Sequence, residues 1–143
     1  MTGVDTNFWC TRTGWIRLGA TRRRRRLSGW RKVESRWAIP WPCVHEFFAV
    51  VTHPKIYRPS TPVEKALADL DEWFRSPTLR LVGETGVYWG RLRETIVHGG
   101  LVGPMVHDAR IAAICAANGV STLLSADRDF SRFPGLRVRN PLV

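Results

Sequence analysis

Residues 103–130, GPMVHDARIAAICAANGVSTLLSADRDF, carry the clearest apolar pattern in the chain. Ile111, Ile114 and Cys115 recur on one helical face, with alanines filling the turns. Gly119 is placed to stop that helix as a left-handed C-terminal cap. Val120, Leu123 and Leu124 follow as a short apolar run, which "SADRDF" breaks with polar residues. The stretch therefore predicts a helix, a turn, a buried strand and an acidic loop. Asp108 falls in the helix's first turn, and Asp127 and Asp129 fall just past the strand.

The same pattern organises the rest of the chain. "TGVDTN" is a short apolar approach to Asp5, Thr6 and Asn7. "WAIPW" reads as a short strand or approach, and Pro42 sits where a helix can begin. Val44, Phe47, Phe48 and Val51 give that helix its apolar face, with His45 and Glu46 in its first turn. Thr61 is an N-cap candidate, with Pro62 at the first helical position. Val63, Ala66, Leu67, Leu70 and Phe74 form the stripe of the helix that follows. "TLRLVG" predicts a strand. Residues 86–98 predict a helix with Val87, Leu92 and Ile96 inward and Gly99 at its end, and "LRVRNPLV" holds a last strand. Strand and helix in alternation indicate an α/β fold with a mainly parallel sheet. No internal repeat or linker divides the chain, so residues 1–143 are expected to form one domain.

Residues 8–36 break the pattern. Arg22 to Arg26 leave no apolar face at either the helical or the strand period, and Trp9, Trp15 and Trp30 stand among arginines without regular spacing. The segment holds ten Lys/Arg and one acid, so it carries +9 of the formal net charge of +10. Three readings stay open: a basic, aromatic nucleic-acid arm, a solvated charged loop, and peptide translated out of frame from a GC-rich gene. The third can be tested on paper by joining the third base of each codon to the first two of the next. Phe8–Trp9 then encodes Leu, Trp9–Cys10 encodes Val, and Trp15–Ile16 encodes Asp. Arginine codons beginning with CG permit alanines. One permitted product is LVYAHRVDSPW followed by an Ala-rich helix, which restores a strand after Asp5 and a good helix former after it. A one-base loss near Asn7, with a compensating change before Trp37, would account for the segment.

Other composition excludes more than it assigns. No run of 18 apolar residues exists, so no membrane span is expected. The N-terminus lacks a signal-peptide h-region, which makes a cytoplasmic location the default. Cys10, Cys43 and Cys115 form neither a disulfide framework nor a Cys-x-x-Cys pair. Cys115 reads as a small apolar residue and the other two as incidental. No Cys/His spacing resembles a zinc site. A lone Glu46 near a helix N-terminus is explained by the helix dipole before it needs a chemical role.

Taken together, "VDTN", "PCVHEF", "HDARIAA" and "SADRDF" resemble the four acidic motifs of PIN-domain nucleases. The likeness is nearest to VapC toxins, the ribonuclease components of type II toxin–antitoxin modules. It extends over residues 1–7 and 37–143 and includes the "HPKIYRP" loop and the "FSRFPGLRVRNP" ending. The departure is residues 8–36, where the family has the rest of its first strand and its first helix. LVYAHRVDSPW resembles the family's usual continuation of "VDTN". The resemblance implies a PIN-like three-layer fold and an acidic constellation of Asp5, Glu46, Asp108 and Asp127. Crowded carboxylates repel one another unless a cation neutralises them, and hard Mg²⁺ or Mn²⁺ suits oxygen ligands and phosphate chemistry. On this reading Asp5 and Asp108 contact the metal, Glu46 orients or deprotonates the attacking water, and Asp127 completes the site. Thr6, Asn7, Ser125 and Asp129 would support them by hydrogen bonds. The resemblance further implies RNA as substrate, a cognate antitoxin protein, and a homodimer. Two other readings stand beside it: an inactive remnant of a toxin gene, and a basic RNA-binding protein whose acids are structural.

Overall fold

The computed structural model describes residues 1–6 and 36–140. The arginine-rich segment, Asn7, Cys10 and any strand or helix expected within residues 8–35 lie outside the described residues. Five strands, β1 (Thr2–Val4), β2 (Trp37–Pro40), β3 (Leu79–Val82), β4 (Thr122–Leu124) and β5 (Arg137–Arg139), pair in the order β3-β2-β1-β4-β5. Every pairing is parallel. Four helices are described: α1 (Trp41–Val51), α2 (Val63–Phe74), α3 (Tyr88–Gly99) and α4 (Met105–Ala117).

The chain passes from β2 to β3 in one direction along the sheet, then returns past β2 and β1 to reach β4. Right-handed crossovers in opposite directions put α1 and α2 on one face and α3 and α4 on the other. A parallel sheet covered on both faces is apolar along its central strands. Val4, Ala38, Ile39, Leu123 and Leu124 are accordingly buried, together with Cys43, Phe47 and Val51 of α1 and Ile111, Ile114 and Cys115 of α4. β1 is the central strand, and its neighbours β2 and β4 are joined to the rest of the chain on opposite faces. That is the arrangement in which a crevice opens beyond the carboxyl ends of strands. Asp5, the residue after β1, stands at it.

Most predicted elements form as expected, and Gly119 has the left-handed φ of 70° that its cap requires. Several local expectations fail, among them the first-turn place of Glu46, which falls in the second turn of α1. Thr61 caps no helix: α2 starts at Val63 with Pro62 at the N-cap, and the Thr61 amide instead donates to the Val51 carbonyl at 2.8 Å. Val63 and Leu67 are exposed, because α2 turns Ala66 and Leu70 of the predicted stripe, together with Trp73, to the core. Trp73 packs edge-on against Phe47 with centroids 4.8 Å apart. Val87 is exposed as well, since α3 begins only at Tyr88 and Val87 precedes its first turn; Leu92 is buried as predicted.

Candidate active site

Four chain segments deliver acids to the carboxyl edge of the sheet. Asp5 follows β1, Glu46 lies in the second turn of α1 after β2, Asp108 in the first turn of α4, and Asp127 after β4. Their environments differ sharply. Asp5 is 1% exposed. Asp108 and Asp127 are half-buried, and Glu46 and Asp129 are exposed.

Asp5 is held on both oxygens. Ser125 Oγ donates to Oδ2 at 2.7 Å, and Cys43 Sγ donates to Oδ1 at 3.5 Å. The Asp5 amide donates to the Leu124 carbonyl at 3.0 Å, which ties the residue to the end of β4. Thr6 Oγ1 donates to the Cys43 carbonyl at 2.9 Å, so the first turn of α1 is fixed against the end of β1. Cys43, incidental by its sequence spacing, is therefore part of the site. It fills a buried position and faces the carboxylate, and burial followed by the Asp5 charge pushes its thiol well up, keeping the proton it donates.

Ser125 serves two acids at once. Its Oγ also accepts from the Asp127 amide at 2.9 Å. Asp127 in turn caps the short 3₁₀ turn Arg128–Arg132, with Oδ1 accepting from the Asp129 amide at 2.8 Å. Asp129 pairs with Arg132 at 2.7 Å. Arg132, which drew no attention in the sequence, is the cation that faces this acidic rim; an i, i+3 pairing across a 3₁₀ turn leaves no apolar signature to read.

The electrostatics tie the segments together. Burial pushes the Asp5 carboxyl from 3.8 up to about 6; the Ser125 hydrogen bond opposes this, and the Glu46 charge adds to it. The Asp108 carboxyl is also pushed up, first by burial, then by the charges of Asp127, Asp129 and Glu46, with Arg132 opposing. Each predicted carboxylate thus acts on another from a different segment, although among the described residues no three His, Cys, Asp or Glu side chains are gathered closely enough to hold a metal ion. All the donors are carboxylate oxygens, and the charges of Glu46 and Asp127 add to the rise at Asp5 or Asp108; that chemistry fits a hard divalent cation. A groove of about 1080 Å³ lies elsewhere, between α3, α4 and residues 131–136; it reaches Arg132 but none of the four acids.

No model of a known protein family matches the chain. The ribonuclease VapC48 of Mycobacterium tuberculosis is 33% identical over 101 residues, which cover 71% of this chain and 70% of that protein. The chain belongs to the VapC family of PIN-domain proteins. Solved VapC structures share its fold. The M. tuberculosis VapC20 structure, described as a sarcin-ricin loop cleaving toxin, superposes with a TM-score of 0.62 at 17% identity, covering 96% of this chain and 99% of that one. The Rickettsia felis VapBC2 complex bound to a promoter DNA fragment gives 0.61 at 22% identity, covering 97% of each chain. Within this VapC fold, Asp5 follows the central strand at the sheet's carboxyl edge, and the Glu46 charge acts on both Asp5 and Asp108. Among the described residues, no helix is long and apolar enough to cross a membrane.

Proposed function

We propose that the chain is a metal-dependent endoribonuclease, the toxin of a type II toxin–antitoxin module, and that Asp5, Glu46, Asp108 and Asp127 form its Mg²⁺ or Mn²⁺ site. The observation that carries this reading is the mutual electrostatic action of the acids: Glu46 raises both Asp5 and Asp108, and Asp127 also raises Asp108. Four carboxylates on four segments at one sheet edge destabilise one another and gain by sharing a cation. A divalent ion bound there would polarise a phosphodiester and supply a hydroxide-like nucleophile near neutral pH.

The chain's own residues divide the remaining work. Asp5 is fixed by Ser125 and Cys43, so it offers a carboxylate of set orientation deep in the crevice. Asp108 and Asp127 border it at intermediate depth. Glu46, at the exposed rim, is the group placed to take a proton from an attacking water. The names of the relatives support RNA as the substrate, and the VapBC complexes among the structural neighbours support an antitoxin partner. Thr6, Ser125 and Asp129 act as supporting residues, and the toxin acts in the cytoplasm as a homodimer.

The test is an RNA cleavage assay in Mg²⁺ with three proteins: this chain, its Asp108→Asn variant, and a chain with LVYAHRVDSPW and the Ala-rich helix restored. The expected result is cleavage that Asp108→Asn lowers by more than the roughly 10–100-fold that losing a supporting partner costs. Equal activity of the parent and the variant would sink the proposed site. Cleavage by the restored chain alone would identify this chain as an inactive remnant.

A further inference from the structure

Two aromatic pairs that involve α1 are used in different ways. Phe47 meets Trp73 inside the core. Trp41 meets His45 on the outside, with ring centroids 6.0 Å apart and planes inclined by 31°. Trp41 is 39% exposed although it follows β2 directly, at the same sheet edge as Asp5. Its ring is braced from the protein side: Phe74 meets it edge-on at 6.1 Å, and Gly83, beyond the end of β3, lies beneath it. His45 is exposed and stands i+4 from Trp41, so both rings share one helix face, and Glu46 is the next residue.

Among the described residues, two cations near this edge are already committed to acids. Arg110 donates twice to Glu84, at 2.9 and 2.6 Å, and Arg132 is paired with Asp129. A polyanion brought to an edge lined with acids is repelled by them, so contacts that carry no charge add to its hold there. Base stacking on aromatic faces is such a contact, and it tolerates any base.

We propose that Trp41 and His45 form a stacking platform for a nucleobase of the RNA strand that enters the carboxylate site. This rests on the ribonuclease reading for the identity of the strand. The braced tryptophan supplies a face of fixed orientation, and the exposed imidazole widens it toward Glu46. The platform holds the strand without neutralising the acids that a metal ion needs.

Fluorescence anisotropy of a labelled single-stranded RNA, recorded with the full chain in EDTA so that nothing is cleaved, tests the platform. The expected result is affinity weakened roughly tenfold in Trp41→Leu, close to parental in Trp41→Phe, and weakened by a smaller factor in His45→Ala. These ratios should persist as salt is raised, because screening weakens phosphate contacts, including any made by Arg22–Arg26, and leaves stacking in place. In cleavage, KM should rise while kcat stays near its parental value. Parental affinity in both Trp41→Leu and His45→Ala overturns the platform, as does a parent chain that binds no RNA. His45 is exposed, so the His45→Ala arm stands even where Trp41→Leu fails to fold. A chain that binds RNA through these rings but cuts none keeps the platform and loses the nuclease reading. Cleavage with unchanged KM in both variants does the reverse.

Discussion

Asp5 and Asp108 carry the same functional group at the same sheet edge, yet the protein treats them in opposite ways. Asp5 is buried at the end of the central strand and fixed by a hydroxyl and a thiol. Asp108 rises from the first turn of a helix, half in solvent, and its carboxyl is pushed up first by burial and then by the charges of the neighbouring acids. The inner acid is preorganised at a cost to the fold; the rim acid is adjustable and costs little. On the proposed reading, a site that captures a cation and then follows a changing phosphate has use for both. Preorganised groups avoid reorganisation during the reaction.

The largest expected effect separates the two acids by stability. Native Asp5 keeps its proton up to about 6, whereas the ordinary value is 3.8. Between those values the native state binds more protons than the unfolded one, so stability falls as pH rises. The contribution is fully present below about 4 and lost above about 6, and its size is on the order of 3 kcal/mol. Denaturant titrations of the metal-free chain should show this decline across pH 4–6, and Asp5→Asn should flatten it and be the more stable protein at pH 7. Asp108→Asn should change the slope in the same direction but less, since its carboxyl is half exposed. A parental slope in Asp5→Asn would mean that Asp5 is solvated in the native state. Mg²⁺ should restore stability above pH 6 in the parent and not in Asp5→Asn.

The next effect tests what holds the inner acid. Ser125→Ala removes the donor to Asp5 Oδ2 and the acceptor for the Asp127 amide in one change. Metal affinity, read by calorimetry with Mn²⁺, should fall about 10–100-fold, with a loss of stability of about 1–3 kcal/mol from the stranded amide. Ser125→Thr keeps the hydroxyl and should recover most of the affinity. Equal affinities in parent, alanine and threonine variants would leave the contrast between fixed and adjustable acids without a mechanism.

The two acids also differed in how far the sequence revealed their surroundings. Asp108 sits in a helix announced by Ile111, Ile114 and Cys115 and ended by Gly119, so its turn and depth follow from periodicity. The strand before Asp127 was legible for the same reason. The bonds that hold Asp5 were not, because Cys43 lies 38 residues away and Ser125 lies 120. Such contacts exist only once β1, β2 and β4 lie side by side, and no local pattern encodes them. Leu67, Val87 and Thr61 failed at element ends and stripe edges, where a shift of one residue turns a side chain by about 100°. In residues 8–36 the apolar period is absent altogether, and periodicity has nothing to say about them.

The smallest effect concerns the weaker of the two bonds on Asp5. A thiol is a poor donor, and the Cys43–Asp5 separation of 3.5 Å is that of a weak bond. Cys43 is nonetheless 1% exposed, so its volume matters as much as its proton. Cys43→Val keeps the volume and deletes the donor; Cys43→Ser keeps a donor, strengthens it, and leaves a small gap. Cleavage should fall by about threefold in the valine variant, the scale of a weak neutral bond of well under 1 kcal/mol. The serine variant should match or exceed the parent in Mn²⁺ affinity while losing about 1 kcal/mol or less of stability to imperfect packing. If valine and serine lower affinity alike, Cys43 acts by filling space, and Ser125 alone orients the carboxylate. If only valine does, the inner acid is oriented from both sides, and the difference between Asp5 and Asp108 is built by side chains from both flanking strands' ends.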